Sequence, residues 1–182
     1  MVNESSGVRI EAWSEEDFDL LRAANAPEMT AHLSGPETEE QLLARHRRYV
    51  TLSAEDTARS RVYRIVAADT GERAGTIGFW ESDWQGREIY ETGWGVLPGF
   101  QGRGIASAAA RAVIGAARAA GLHRCLHAFP RLSNTASNAV CRKAGFQLMG
   151  EHEIDYPPGS FHPSNDWRFD LWAPLPPAPP GP

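Results

Sequence analysis

A glycine-rich turn before a helix is the part of the sequence whose residue types best suit binding chemistry. The segment Gln101–Ala106 reads QGRGIA and joins a strand-like pattern to a long helical pattern. The first turn of a helix leaves backbone N–H groups without intrahelical acceptors, and the helix dipole adds partial positive charge there. Glycines at positions 102 and 104 allow a ligand to approach this backbone closely. The turn therefore predicts a binding site for phosphate.

Three kinds of phosphate-binding turn can be compared with this segment. A P-loop ends in Gly-Lys-Ser or Gly-Lys-Thr, whereas Gly104 is followed by isoleucine and alanine. A dinucleotide fingerprint needs a glycine or alanine where Ser107 stands. It also needs an acidic residue about twenty positions further on, where the sequence has Leu122–Arg124. The third option is a pyrophosphate that is held by the turn alone.

The pattern within Gln101–Ala106, Q-x-x-G-x-A, resembles the Q/R-x-x-G-x-G/A signature of the GNAT acetyltransferases. Downstream, Asn134–Ser137 (N-x-x-S) and Lys143–Phe146 (K-x-G-F) are similar to the second conserved block of the RimJ/RimL-like branch of that family. Upstream, Glu91–Val96 (ETGWGV) is similar to the strand that precedes the turn in that branch. The three blocks stand in the family's order, so the chain resembles this branch.

The resemblance implies that the chain binds acetyl-CoA as a co-substrate. In the family, N–H groups of the turn hold the pyrophosphate, and the pantetheine arm pairs with the preceding strand as another strand would. An N–H group near Val96 is implied as the oxyanion donor, and Asn134 as a further contact to pantetheine. Asn134 is also suited to cap the next helix, and Arg103 to remain solvated. The implied cofactor-binding residues are Val96, Gln101, Gly102, Arg103, Gly104, Ile105, Ala106 and Asn134.

Acetyl transfer to an amine requires that the amine lose a proton before it attacks the thioester. We expect Glu91 to be the general base, because it lies on the strand that leads to the turn and the resemblance implies an acidic residue there. Strand alternation places Gly93 and Gly95 on its face, which leaves room for a substrate. The alternative for Glu91 is an exposed carboxylate or a structural ion pair, with Glu81 and Asp83 as second candidates for the base.

The general acid is the point where the sequence departs from the family. Many members place a tyrosine seven residues after the asparagine, and that position holds Cys141. Cys141 and Ser137 are the candidates for protonating the leaving sulfur, although the CoA thiolate can also leave unaided. Cys141 is alternatively a small buried hydrophobe, and Ser137 a residue of the first helical turn. The chemistry requires no metal.

Periodicity predicts the elements that position these residues. Apolar residues recur at helical spacing from Ile105 to Ala120, and Gly121 follows as a typical C-terminal glycine. Helices are also predicted to begin near Ser14, Thr38 and Thr135. Strands are predicted over Val8–Ala12, Arg61–Ala68, Arg73–Glu81, Glu88–Val96, Arg124–Phe129, Phe146–Ile154 and Asp166–Trp172.

This order of elements matches the fold that the resemblance implies. It is an α/β fold with a central mixed sheet of six to seven strands and about four helices, splayed where two neighbouring parallel strands part. We expect residues 1–172 to form a single GNAT domain. Residues 173–182 contain six prolines and are expected to be an extended tail.

Composition narrows the classes of protein and partner. The chain has 182 residues, 42% hydrophobic and 23% charged, with a net charge of −5, which argues against a nucleic-acid surface. Two cysteines without a CxxC pair indicate neither a disulfide scaffold nor structural zinc. No apolar segment is long enough for a membrane span, and the N-terminus lacks a signal-peptide pattern. We therefore expect a cytoplasmic monomer or homodimer that binds neither nucleic acid nor membrane.

Three functions fit these features. The first is an N-acetyltransferase acting on a primary amine of a small cationic molecule, such as an amino sugar or aminoglycoside-like antibiotic, by direct attack in a ternary complex. The RimJ/RimL resemblance suggests a second, acetylation of protein N-termini. The third, from another class, is a module that binds acyl-CoA without turnover. The intact Glu91 and glycines favour an enzyme, whereas the missing tyrosine favours the module.

Overall fold

One eight-stranded mixed sheet organises the chain. The structure, a computed structural model, describes residues 3–5, 7–33 and 35–174. The strands are β1 (Asn3–Ser5), β2 (Val8–Ala12), β3 (Ser60–Ala67), β4 (Arg73–Trp84), β5 (Arg87–Val96), β6 (Cys125–Ala128), β7 (Gln147–Asp155) and β8 (Phe161–Asp170). Their spatial order is β1-β2-β3-β4-β5-β6-β8-β7. Neighbours pair antiparallel except β5 and β6, which are parallel.

Four α-helices flank the sheet in the described part of the chain: α1 (Phe18–Ala23), α2 (Glu39–Glu55), α3 (Ile105–Ala120) and α4 (Thr135–Ala144). The sequence predicts the start of α2 correctly. Thr38 Oγ1 accepts a hydrogen bond from Gln41 N at 3.3 Å, and Thr38 N donates to Gln41 Oε1 at 2.8 Å. This is a capping box, which satisfies two N–H groups at the helix start. None of the described helices is long and apolar enough to cross a membrane.

The parallel strands β5 and β6 part after a short contact. Two residue pairs join them, Tyr90 with Leu126 and Glu91 with His127. From Thr92 to Val96, β5 keeps its partner β4, but on its other side it has no strand partner among the described residues. The chain after β6 stays with β8 instead, because Asn165 N donates to Pro130 O at 3.0 Å. We call the resulting gap between residues 92–96 and residues 129–134 the opening.

The two faces of the sheet differ in chemistry. On one face, α3 and α4 pack on the main core, which includes fully buried side chains such as Tyr90, Leu126 and Val113. Many of the α3 residues are alanines, so the helix lies close to the strands. The other face is covered in part by α1 and α2, through a smaller cluster of Trp13, Leu20, Leu21, Leu42 and Val62. Since strand residues alternate, Glu91 lies on this second face.

The predicted α/β fold with a mixed, splayed sheet is confirmed, and two details differ. The sequence pattern does not predict β1, a three-residue edge strand. The predicted strand Asp166–Trp172 has the wrong bounds, because β8 spans Phe161–Asp170. Its first half, which includes Pro163, lies between the predicted strands Phe146–Ile154 and Asp166–Trp172, yet it pairs with β7 in a hairpin. Residues 175–182 of the predicted tail lie outside the described residues.

The close approach of β4 and β5 gives a stability prediction. A Cβ atom on Gly75 would lie 2.0 Å from the backbone oxygen of Gly95 on the neighbouring strand, so Gly75→Ala must displace backbone. We expect it to lower the free energy of unfolding by about 1–3 kcal/mol or more, as overpacking does. Gly99→Ala is the matched control, since its Cβ would meet no atom within 4 Å. Urea denaturation measures both, and equal stability of the two variants would contradict the packing.

Candidate active site

The glycine-rich turn presents its backbone to solvent. Gly102 has φ +73° and Gly104 has φ +77°, a left-handed conformation that glycine adopts without strain. A Cβ on either residue would meet no atom within 4 Å. Glycine is therefore favoured at these two positions because the backbone is left-handed, and not because a side chain there would clash with another part of the chain. Ala108 N donates to Gly104 O at 3.0 Å, and the N–H groups of the preceding helical residues, from Ile105 on, lack an acceptor one turn earlier. The geometry suits a bound anion.

Gln101 and Arg103 connect the turn to its neighbours. Gln101 Nε2 donates to Val96 O at 2.9 Å, which ties the turn to the end of β5. Arg103 Nη2 lies 2.9 Å from Asp69 Oδ2, and its guanidinium carbon lies 5.6 Å from the centre of the Phe100 ring. Both charged side chains of this ion pair are well exposed. The charge of Arg103 is thus available at the turn but shared with a carboxylate.

The end of β5 presents to the opening an edge that has no strand partner among the described residues, although Val96 O accepts the hydrogen bond from Gln101. Leu97 N donates to Ala74 O at 2.8 Å, so this amide points towards β4. Because successive residues of a strand alternate, the N–H and C=O of Val96 point the other way, into the opening. The Val96 side chain is buried and anchors the strand. An extended amide-bearing ligand can pair with such an edge.

Asn134 and Ser137 lie across the opening, at the start of α4. Asn134 Oδ1 accepts a hydrogen bond from Ser137 N at 3.0 Å, so Asn134 caps the helix, as one of its two expected roles requires. Its contact with a ligand stays a prediction. Ser137 is partly buried in the first turn of α4, and its role as a proton donor stays a prediction.

Cys141 lies in the main core and is fully buried. Burial raises the pKa of its thiol to about 12, because the thiolate loses its hydration there. A group that is enclosed by apolar side chains has no path to a leaving sulfur in this structure. The placement favours the alternative considered from sequence, a small buried hydrophobe.

Glu91 lies on the face away from α3, at the point where β5 and β6 part. Burial raises the pKa of its carboxyl, while hydrogen bonds with Ser82 and Trp80 and the charge of His127 act in the opposite direction. Trp80 is its register partner on β4, and its ring covers Gly93, whose Cβ would lie 3.2 Å from it. Gly93 and Gly95 are the glycines that were expected to leave room for a substrate beside Glu91. In the structure Gly93 faces the Trp80 ring, and Gly95 faces the Met29 methyl group.

The two second candidates for the base lie elsewhere. Glu81 pairs with Tyr90 in register and so faces the α3 side of the sheet, where its Oε1 lies 2.9 Å from His123 Nε2. Asp83 Oδ1 accepts a hydrogen bond from Gly86 N at 3.2 Å and stabilises the β4–β5 turn. Both carboxylates have structural partners, and neither is beside Glu91.

His127, which was not a predicted site residue, lies next to Glu91 and brings Asp166 and Trp84 with it. His127 Nδ1 is 2.6 Å from Asp166 Oδ1, and Trp84 Nε1 donates to Asp166 Oδ2 at 3.0 Å. Alternation along β6 was the available signal: with Leu126 and Ala128 in the core, His127 must face the side of Glu91. The pairing of β6 with β8, which brings Asp166 to it, has no local signal in the sequence.

The segment after α1 spans the mouth of the opening. On one side, Met29 Sδ lies 3.7 Å from Gln101 Nε2. On the other side, Arg131 Nη2 donates to Leu33 O at 2.9 Å, and Ser133 Oγ lies 3.4 Å from His32 Nδ1. This segment therefore forms a wall between the glycine-rich turn and the connection from β6 to α4.

Comparisons with known proteins agree with this geometry. A family model described as an acetyltransferase (GNAT) domain matches residues 8–147. A comparison with curated protein sequences gives no match. Among solved structures, a GNAT-family acetyltransferase from Bacillus anthracis superposes with a TM-score of 0.74 at 20% identity, over 94% of this chain and 99% of the other.

Two further solved structures contain coenzyme A or its acetyl ester. RimL, a ribosomal L7/L12 alpha-N-protein acetyltransferase in complex with coenzyme A, has a TM-score of 0.75 at 22% identity, over 93% of this chain and 98% of the other. MccE, a microcin C7 self-immunity acetyltransferase in complex with acetyl-CoA and AMP, has a TM-score of 0.73 at 16% identity, over 91% and 93%. At such identities, the likeness shows a shared fold.

The family model covers most of the chain, including the glycine-rich turn and both strands that border the opening. The splayed sheet is the fold that the sequence resemblance implied, and the turn before α3 carries one of the motifs on which that resemblance rested. The chain belongs to the GNAT acetyltransferase family.

Proposed function

We propose that the protein transfers an acetyl group from acetyl-CoA to a primary amine of a small cationic molecule, by direct attack in a ternary complex. The observation that carries the proposal is the position of Glu91. Its carboxyl, with a raised pKa, lies where β5 and β6 part, while the glycine-rich turn follows the far end of β5. One strand thus connects a site for a phosphate group with a site for an amine.

The cofactor is proposed to lie in the opening. The N–H groups of Gly102, Arg103, Gly104, Ile105 and Ala106 would hold the pyrophosphate, since the turn is exposed and precedes the positive end of α3. Arg103 would exchange Asp69 for phosphate, which costs little because exposed ion pairs contribute little stability. Gln101 fixes the turn by its hydrogen bond to Val96 O, so the pantetheine arm would pair with the Val96 N–H and with neighbouring backbone groups on this edge of β5, with Asn134 opposite.

Glu91 is proposed to accept the proton of the bound ammonium group. A carboxylate of ordinary pKa is a weak base toward an alkyl amine, and partial burial improves the match by raising the pKa. The amine nitrogen then bonds to the carbonyl carbon, and the carbon–sulfur bond breaks with its electron pair on sulfur. A second backbone N–H on the same edge of β5, near Val96, would stabilise the negative charge on the carbonyl oxygen.

The leaving sulfur needs one proton to become a thiol. The second proton of the attacking nitrogen can supply it, so that the atoms balance without a dedicated acid. Ser137, in the first turn of α4, remains the candidate for assisting this transfer. We do not give this role to Cys141, because its thiol is enclosed in the core.

The acceptor is proposed to be a small amine, and protein N-termini are the second candidate. Trp80, Trp84 and Phe129 surround Glu91 and His127, which suits an ammonium group on a compact, partly apolar body. The likeness to RimL favours N-terminal acetylation and membership of the RimJ/RimL-like branch. Acetyl transfer to a panel of amino sugars, simple amines and short peptides distinguishes the two candidate acceptors. Only the correct class of acceptor should give a transfer rate that saturates as its concentration is raised.

Gly104→Asp tests the assignment of the turn. We expect it to weaken acetyl-CoA binding by at least about tenfold, because it adds a negative charge next to the proposed pyrophosphate. Gly104→Asn is the control, since asparagine has the same shape and also tolerates positive φ but carries no charge. Calorimetric titration measures both. Unchanged affinity in a folded Gly104→Asp variant would remove the pyrophosphate from this turn.

Glu91→Gln tests the base. The substitution keeps the shape of the side chain and removes its basicity, so kcat/KM at pH 7 should fall by about a hundredfold while acetyl-CoA affinity stays the same. The loss should shrink as pH rises, because more of the amine is then neutral. Glu88→Gln, on the exposed end of the same strand, is the control. Wild-type rates for Glu91→Gln across the pH range would show that Glu91 is not the base.

A further inference from the structure

A buried carboxylate–imidazole pair lies behind Glu91 and has no part in the mechanism above. Asp166 is 4% exposed and His127 is 5% exposed. The carboxylate accepts one hydrogen bond from Trp84 Nε1 at 3.0 Å, and its other oxygen lies 2.6 Å from His127 Nδ1. Burying such groups costs hydration that their attraction does not reliably return, so stability alone is a weak reason for the pair. Its position beside a candidate catalytic group points to a chemical role.

The contacts of His127 fix its protonation pattern as well as its orientation. A neutral imidazole carries one N–H, and the carboxylate of Asp166 holds that hydrogen on Nδ1. The lone pair is therefore on Nε2. Phe129 stacks on the ring at 5.7 Å with an angle of 23° between the planes, which restrains the direction of Nε2. The ring is thus a proton acceptor held in one tautomer.

Glu91 is the neighbour of His127 on the adjacent strand. The two residues pair in register at the last contact between β5 and β6, where neighbouring strands lie about 4.8 Å apart. Both side chains project from the face opposite Leu126, which is in the core. When it is protonated, His127 lowers the pKa of the Glu91 carboxyl, so the two groups are close enough to interact electrostatically.

We propose that His127 and Asp166 form a proton relay behind Glu91, in which the proton taken from the amine moves on to Nε2 of His127. This rests on the proposed function. The ammonium nitrogen gives its proton to the Glu91 carboxylate, and the carboxyl gives a proton to Nε2 and is again a carboxylate. The imidazolium keeps its hydrogen bond to Asp166 and later releases the proton to solvent. The neutral amine then attacks the thioester.

The relay improves the match between base and substrate. Ordinary pKa values are about 4.3 for glutamate, 6.5 for histidine and 10.4 for an alkyl ammonium, so imidazole is the better final acceptor. The charged or titratable groups facing His127 are Glu91 from β5 and Asp166 and Arg168 from β8. His152 from β7 lies further away, against the Trp84 ring.

Kinetics of two single variants test the relay. His127→Gln removes the acceptor, and Asp166→Asn removes the group that fixes its tautomer. Each should lower kcat/KM at pH 7 by about tenfold or more, with an unchanged KM for acetyl-CoA, and the loss should shrink as pH rises and solvent accepts the proton. A loss that is the same at every pH would mean that the pair is structural, and would overturn the relay.

The double variant Glu91→Gln/His127→Gln gives a sharper result. It should be no slower than Glu91→Gln alone, because both residues act on the same proton. Losses that multiply would overturn the relay. His123→Gln is the matched control: its side chain is 7% exposed, as is that of His127, and it also lies against a carboxylate, Glu81 at 2.9 Å, but on the other face. This variant should lose stability without losing kcat/KM.

A measurement on the free protein separates this proposal from the proposed function. Nitrogen-15 NMR of the histidine rings should show His127 as the neutral Nδ1–H tautomer at pH 8, and Asp166→Asn should abolish this preference. The opposite tautomer, or an imidazolium that persists at pH 8, would overturn the relay even if no acceptor amine is found. Failure of the proposed function looks different, since the wild-type protein would then acetylate no amine in the panel.

Discussion

The brevity of the contact between β5 and β6 is the constraint on which the site depends. If the two strands paired along their whole length, their backbone groups would satisfy each other and leave no room for a ligand. Because they part after Glu91 and His127, the edge of β5 up to Val96 has backbone groups that point into the opening and that pair with no strand in the described part of the chain. The separation of the two strands also places their last paired residues, Glu91 and His127, at the closed end of the opening. The cofactor site and the proposed proton acceptors therefore have one structural cause.

The rest of the fold holds β5 and the chain after β6 apart beyond this short contact. The face under α3 is apolar and alanine-rich, and it holds the residues on either side of the contact, Tyr90 and Leu126, without exposure. On the far side, hydrogen bonds between the β6–α4 connection and β8 hold the second border of the opening. The segment around Met29–Leu33 joins both borders at the mouth. The polar groups next to Glu91 can be buried because the opposite face supplies the hydrophobic stability.

Local patterns in the sequence were sufficient for the turn and most elements. Gly104 and the helical periodicity of α3 are local signals, and so are the capping residues Thr38 and Asn134, whose roles the structure reproduces. Residues brought together by strand order were not predictable in this way. His127 and Asp166 are 39 positions apart and meet only because β8 inserts between β6 and β7. Cys141 is the opposite case. Its place in the family pattern suggested a general acid, but the packing of the fold puts this residue in the core.

A crystal structure of the protein with coenzyme A is the most direct test of the central claim, that the opening between β5 and the β6–α4 connection is the cofactor site. We expect the pyrophosphate against the N–H groups of Gly102–Ala106, the pantetheine arm paired with Val96 and near Asn134, and the sulfur at the end of the opening nearest Glu91. Coenzyme A bound elsewhere, or bound with its sulfur far from Glu91 and His127, would contradict both the site and the mechanism that we derive from it.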